Sequence, residues 1–229
     1  MAHVLSLLLH NRSGSPRADV AIDHAVIAGW TGRDAAAVEE HIRELEALGV
    51  KWPASTPIFY RVSAARMTSG DSIEAVGENP GGEVEFVLLA HAGRLWVGTG
   101  SDHTDREVEK YGVTVSKQLC DKPIAPELWS FDDVAPHWDR LVLRAYVVEN
   151  GRRMLYQEGT VAAMIAPKDL ISRYDKSVEL APGTLMFGGT LAAQGGVRPT
   201  KEFAFELEDP VLGRKISHAY KVNTLPILG

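Results

Sequence analysis

The chain has 229 residues, 24 lysine and arginine against 30 aspartate and glutamate for a formal net charge of −6, and 45% hydrophobic residues. The acidic surplus argues against a nucleic-acid partner, and no apolar run approaches the ~18–20 residues that span a bilayer. The length suits one large domain, and the single cysteine, Cys120, forbids an internal disulfide or a thiolate metal cage and fits a reducing cytoplasm.

Residues 4–9 are too short an apolar run for a secretory signal and read as a first strand. With residues 20–22 and 24–27, separated by Ser13-Gly14-Ser15-Pro16 and followed by Gly29, they predict a small β lobe over residues 1–31 ahead of a main domain over 32–229. The period then changes. Ala35, Val38, Ile42, Leu45 and Leu48 recur at helical spacing, with Asp34 at the N-cap and Gly49 past the end. Strands follow at 57–62, 84–90 and 95–97, the last two joined across His91-Ala92-Gly93-Arg94. A short helix is expected from Asp102 to Lys110, limited by Gly112 and the β-branched run 113–115. Residues 141–148 and 153–157 flank Asn150-Gly151, a strong hairpin signal, and Pro167 opens another short helix. From Pro182-Gly183 onward the chain alternates strands and turns, giving a β-rich α+β fold with few helices.

Three acidic features bear on chemistry. Glu83 and Glu85 lie two residues apart on a strand, so they share a face about 7 Å apart along the backbone. They form either a solvated strand face or a pair of oxygen ligands for a hard cation. Residues 101–107, Ser-Asp-His-Thr-Asp-Arg-Glu, read on their own as a loop-to-helix start with Asp or Ser as its cap. His41 and Glu44 share one helix face, as surface decoration or as an imidazole oriented by a carboxylate for general-base work. His91, His137 and His218 lack acidic neighbours at useful spacing and read as structural. Cys120 reads as a buried filler, and the tryptophans as packing, with Trp52 a candidate pocket wall.

The order of these pieces resembles the fumarylacetoacetate hydrolase superfamily from about Gly32 onward. The matching pieces are Gly32-Arg33-Asp34, His41-x-x-Glu44, Pro57-Ile58-Phe59-Tyr60-Arg61, Glu83-x-Glu85 and the Asp102–Arg106 segment. They continue with Lys117, Tyr156-Gln157-Glu158-Gly159-Thr160 with Met164, and Leu180-Ala181-Pro182-Gly183 with Gly189-Thr190. The resemblance implies a mixed β-sandwich or β-roll, a homodimer, and Mg²⁺ (or Mn²⁺ or Ca²⁺) held by Glu83, Glu85 and Asp102. It further implies His41 and Glu44 as the water-activating pair, Lys117 as the catalytic lysine with Lys122 as its alternative, and Arg61, Arg106, Gly189 and Thr190 as substrate contacts. The implied activity is hydrolysis of a C–C bond in a small 2-oxo or β-dicarbonyl acid, such as an acylpyruvate or fumarylpyruvate, through a metal-stabilised enolate. Decarboxylase, hydratase, dehydratase and isomerase outcomes share that step, and a small-acid-binding protein without catalysis is the alternative of another class. Arg61 in place of the usual lysine, and Ser101, His103, Asp105 and Glu107 in the third motif, mark a divergent branch.

Overall fold

Short apolar runs punctuated by glycine and proline fold, in chain order, into β1 (His3–His10), β2 (Arg17–Ile22), β3 (His24–Gly29), helix α1 (Ala35–Ala47) and β4 (Ile58–Val62). They continue as β5 (Met67–Thr68), β6 (Ser72–Val76), β7 (Pro80–Gly81), β8 (Val84–His91), β9 (Arg94–Ser101) and β10 (Thr104–Asp105). Next come α2 (Arg106–Glu109), α3 (Val113–Leu119), β11 (Lys122–Pro123), β12 (Glu127–Ser130), α4 (Phe131–Val134), β13 (Val142–Glu149), β14 (Arg152–Thr160) and α5 (Pro167–Asp175). The chain ends with β15 (Thr184–Thr190), β16 (Glu202–Asp209) and β17 (Arg214–Leu225). This computed structural model describes residues 3–47, 53–176 and 178–228, with the side chains of residues 41, 44, 45 and 47 outside the description. Trp52 and Gly49 also lie outside the described residues.

Eight strands form one mixed sheet in the order β2-β1-β12-β9-β8-β15-β3-β4, and five form a second in the order β14-β13-β16-β17-β6. The strands of residues 3–29, expected as a separate lobe, belong to the first sheet: β1 pairs in parallel with β12, and β3 lies between β15 and β4. Local alternation shows that a segment is a strand but not which distant strand it joins.

Both faces of the central strands are buried. On β8, Phe86 and Leu88 pack with Phe203, Phe205 and Leu207 of the second sheet, whereas Val87 and Leu89 pack with Leu5, Leu7 and Ile22. Residues from β1 to β4 thus share a core with β8, and the large sheet curls around it. Among the described residues no helix is long and apolar enough to cross a membrane.

The helix at 35–47 forms as its periodicity predicts, capped by Asp34, whose Oδ1 accepts the Ala36 and Ala37 N–H groups at 3.0 and 3.2 Å. The helix expected from Asp102 starts later, at Arg106, and ends at Glu109 before Gly112 as expected, but the run 113–115 then opens a separate helix, α3. Helix propensities differ by only a few tenths of a kcal/mol for such residues, and burial of Ser116 and Lys117 on the inner face outweighs them.

His137 does have an acidic neighbour, contrary to the sequence expectation. Its Nε2 lies 2.9 Å from Asp209, which also accepts the Val211 and Leu212 N–H groups at 3.1 Å each and Arg214 Nε at 3.2 Å. Burial would raise the Asp209 pKa, but these donors hold it below the ordinary value. A depressed carboxylate contributes stability above the unfolded pKa of ~3.9 and loses it as pH falls. Asp209→Ala is therefore expected to cost about 2–4 kcal/mol at pH 7 in urea unfolding, with the difference from wild type shrinking below about pH 4.

Candidate active site

The β8–β9 hairpin positions the acidic groups. Ala92 and Gly93 both take positive φ, 52° and 70°, the two-residue turn that matches strand twist. This turn fixes His91 opposite Arg94, and the ladder runs unbroken to Val84 opposite Ser101. Glu83 and Asp102 therefore meet at the open end, where Asp102 N–H donates to Glu83 O at 2.9 Å.

Glu85 is buried, 3% exposed, which removes the solvated-face reading for this residue. Its partner strand carries the reason. The β8–β15 register shifts between Phe187 and Thr190, and the bulge turns Gly189 N–H onto Glu85 Oε2 at 2.7 Å. Gly189 has φ 106°, and a Cβ there would stand 1.7 Å from Thr31 Oγ1. Only glycine fits that position. Below it, Gln157 of β14 accepts Val84 N–H at 2.9 Å and donates to Thr190 Oγ1 at 2.8 Å and Leu191 O at 2.6 Å, tying the second sheet to the site. Thr190 Oγ1 in turn donates to Val84 O at 2.8 Å, so its hydroxyl serves the scaffold.

Asp102 is fully buried between two ammonium groups. Lys117 of α3 donates to Oδ2, and Lys122 of β11 lies 3.0 Å from Oδ1. Lys122 also donates to His103 O. Burial alone would raise Asp102, yet the two lysines pull it well below the usual carboxylate range. Lys117 shows the converse: burial disfavours its charge, but Asp102, Glu83 and Glu85 hold its pKa above the ordinary value. Glu85 is raised well above a normal glutamate, first by burial and then by the charge of Asp102. Lys122 is lowered, chiefly by burial.

Arg106 holds Glu83 and Glu109, each at 3.0 Å, and donates to Gly81 O at 3.2 Å. The segment is shaped by Asp105, whose Oδ1 accepts the Glu107 and Val108 N–H groups at 3.0 Å and starts α2. Behind it, Tyr220 hydroxyl lies 2.8 Å from both Ser101 Oγ and His103 Nδ1. Burial lowers the His103 pKa to about 3, so the imidazole is neutral at pH 7. Cys120 is likewise inert: burial raises its thiol to about 11.

Part of this cluster opens onto a cleft of about 840 Å³, with Asp102 and Lys122 buried out of it. Glu83, Glu85, Arg106, Lys117, Gly189 and Thr190 all line it. Arg61 does not. Alternation along β4 buries Tyr60 and exposes Arg61, which instead reaches His24 Nδ1 at 2.8 Å. The residue missed is Tyr60, on the cleft wall with its ring centroid 5.6 Å from Lys117 Nζ. Trp30, assigned to packing, is also on that wall, as are Ala37 and Val38 of α1. His41 and Glu44 follow on the same helix, with their side chains outside the described residues.

The carboxylates of Glu83 and Glu85 in the cleft, with Asp102 buried beside them, are the hard oxygen donors that Mg²⁺ or Mn²⁺ prefers, and the repulsion acting on Glu85 is the charge imbalance a cation relieves. The donor chemistry fits a divalent ion. In the present arrangement, however, no three acidic, imidazole or thiol groups converge at ligating distance among the described residues. Glu83 faces Arg106, and Asp102 faces the lysines.

Several solved structures share this architecture. Cg1458, solved with an inhibitor, is 17% identical, with 93% of this chain and 81% of that chain covered at a TM-score of 0.65. A 2-keto-3-deoxy-D-arabinonate dehydratase complexed with magnesium and 2,5-dioxopentanoate is 15% identical over 89% of this chain and 74% of that chain, also at 0.65. Its apo form matches at 0.61, with the same identity and coverage. No curated protein matches the sequence. The strand-rich architecture, with few short helices, is a fumarylacetoacetate-hydrolase-like α+β fold. A family model described as "Protein of unknown function (DUF2848)" matches residues 28–220, and the chain belongs to that family.

Proposed function

We propose that this protein is a divalent-metal-dependent enzyme acting on a small 2-oxo acid, with hydrolysis of a C–C bond in an acylpyruvate-like substrate as its reaction. The observation that carries this reading is the cleft lined by Glu83, Glu85, Arg106 and Lys117, with the buried Asp102 held against Lys117. Glu83, Glu85 and Asp102 are the proposed ligands of Mg²⁺, Mn²⁺ or Ca²⁺. When bound, such an ion supplies Lewis-acid polarisation of the substrate's 2-oxo and carboxylate oxygens.

The remaining roles belong to the chain. The Lys117 ammonium faces the cleft and offsets negative charge developing on the substrate. Lys122, wholly buried, keeps Asp102 ionised and fixed. Arg106 orients Glu83 and adds positive charge beside a bound carboxylate. His41 is the proposed general base that accepts the proton of the attacking water, with Glu44 as its proposed partner. Trp30, Val38, Val113, Leu191 and Val197 give the outer cleft an apolar wall, which suits an acyl tail better than the hydroxyls of a sugar acid. The proposed setting is the cytoplasm, and the proposed assembly a homodimer.

The test is a Mg²⁺-supplemented turnover panel of acylpyruvates with growing apolar tails alongside a 2-keto-3-deoxy sugar acid. The expected result is cleavage to pyruvate and the free acid, with kcat/KM rising at least about tenfold from acetyl to a longer acyl group. His41→Ala is expected to lower turnover about 10²–10⁴-fold while leaving Mn²⁺ binding intact. That one structural neighbour is a dehydratase favours a second reading. Loss of water from the sugar acid without C–C cleavage would establish that one instead, and binding without turnover of any substrate would favour the non-catalytic alternative.

A further inference from the structure

The two lysines on Asp102 are not equivalent. Lys122 has no exposed side-chain surface and is held at two points, Asp102 Oδ1 and His103 O, on the short strand β11 paired with β5. Lys117 reaches Oδ2 from the cleft side, on the seven-residue helix α3. The Tyr60 ring, on the cleft wall, lies 5.6 Å from Lys117 Nζ, and Glu83 and Glu85 act on the ammonium charge alongside Asp102. The ammonium therefore sits among the carboxylates of Asp102, Glu83 and Glu85, and its charge interacts with all three.

We propose that Lys117 is a resident counter-ion of the cation site, which a divalent ion displaces from Asp102 on binding, so that this one side chain sets the site's affinity for metal. The proposal rests on the reading of Glu83, Glu85 and Asp102 as ligands. It accounts for the absence of a converged ligand set among the described residues: Asp102 Oδ2 is taken by an ammonium and becomes free only when Lys117 moves. The face of the Tyr60 ring gives the displaced ammonium a second station. A +2 ion and an ammonium a few ångströms apart in a buried site repel strongly, so the ion binds against both this repulsion and the loss of the Lys117–Asp102 pair. Lys122, bound to the other oxygen and to the backbone, stays in place and keeps Asp102 ionised.

Calorimetric titration of Mn²⁺ into wild type, Lys117→Met, Lys117→Gln and Lys122→Met tests this, with circular dichroism confirming that each variant is folded. Both Lys117 variants are expected to bind Mn²⁺ at least about tenfold more tightly than wild type, and Lys122→Met no more tightly than wild type. Wild type binding Mn²⁺ as tightly as both folded Lys117 variants would overturn the displacement while leaving the carboxylate site standing. Failure of every folded variant to bind Mn²⁺ would overturn the carboxylate site and the displacement together.

Discussion

Asp102→Ala is expected to destabilise the protein by about 3–5 kcal/mol in urea unfolding at pH 7. The carboxylate has no exposed surface and faces two ammonium groups, one of which, Lys122, is itself fully buried. Its removal leaves Lys122 with the His103 carbonyl alone. A buried ammonium without a counter-charge survives only by losing its proton, and burial already lowers the Lys122 pKa. In the variant the folded state thus holds fewer protons than the unfolded state below the unfolded lysine pKa of ~10.4. Stability of the variant then rises with pH across that window, and its deficit against wild type narrows between about pH 7 and 10. Lys122→Met in the Asp102→Ala background is expected to recover part of the loss, because it removes the stranded charge. A deficit independent of pH, with no recovery in the double variant, would mean that packing and not charge is what Asp102 contributes.

Glu85→Gln separates binding from stability in the opposite direction. The side chain is buried, and desolvation together with the charge of Asp102 makes its ionised form unfavourable. Glutamine keeps an oxygen for the Gly189 N–H and removes the charge. The variant is expected to gain about 1–2 kcal/mol at pH 7–8, a stabilisation that natural sequences forgo at functional sites. The same change removes one of the three proposed ligands, so Mn²⁺ affinity is expected to fall by more than about a hundredfold. Denaturant unfolding and titration calorimetry on one preparation read both numbers. A variant that loses stability and retains Mn²⁺ binding would assign Glu85 to the scaffold.

Much of this site was legible from local rules. The Ala92-Gly93 turn fixes the β8–β9 register, and counting outward from it already sets Glu83 against Asp102. The helix bearing His41 and Glu44 announced itself by its period and by Asp34 at its cap. Motif order then supplied the fold, whereas Gly189 and Thr190, expected as substrate contacts, bond to Glu85 and to Val84 O in the scaffold. What escaped depends on parity and on distant partners. A one-residue step along β4 decides that Tyr60 and not Arg61 faces the cleft. Nothing local reveals that β1 pairs with β12 or that β3 sits beside β15. The choice between Lys117 and Lys122 was also undecidable by spacing, because both reach Asp102, from opposite sides and from different elements. The β-branched run 113–115 argued against the helix that carries Lys117, and only the burial of its inner face explains why it forms.

The site's chemistry depends on whether Glu83 and Glu85, with the buried Asp102, take up a divalent ion. The most direct measurement is an anomalous difference map from crystals of the wild-type protein soaked with Mn²⁺ and oxalate, a mimic of the enolate form of a 2-oxo acid. A manganese peak bounded by Glu83, Glu85 and Asp102, with Lys117 moved off Asp102 toward Tyr60, is the predicted result. A map with oxalate in the cleft but no manganese at these carboxylates, or with manganese bound elsewhere, would contradict it.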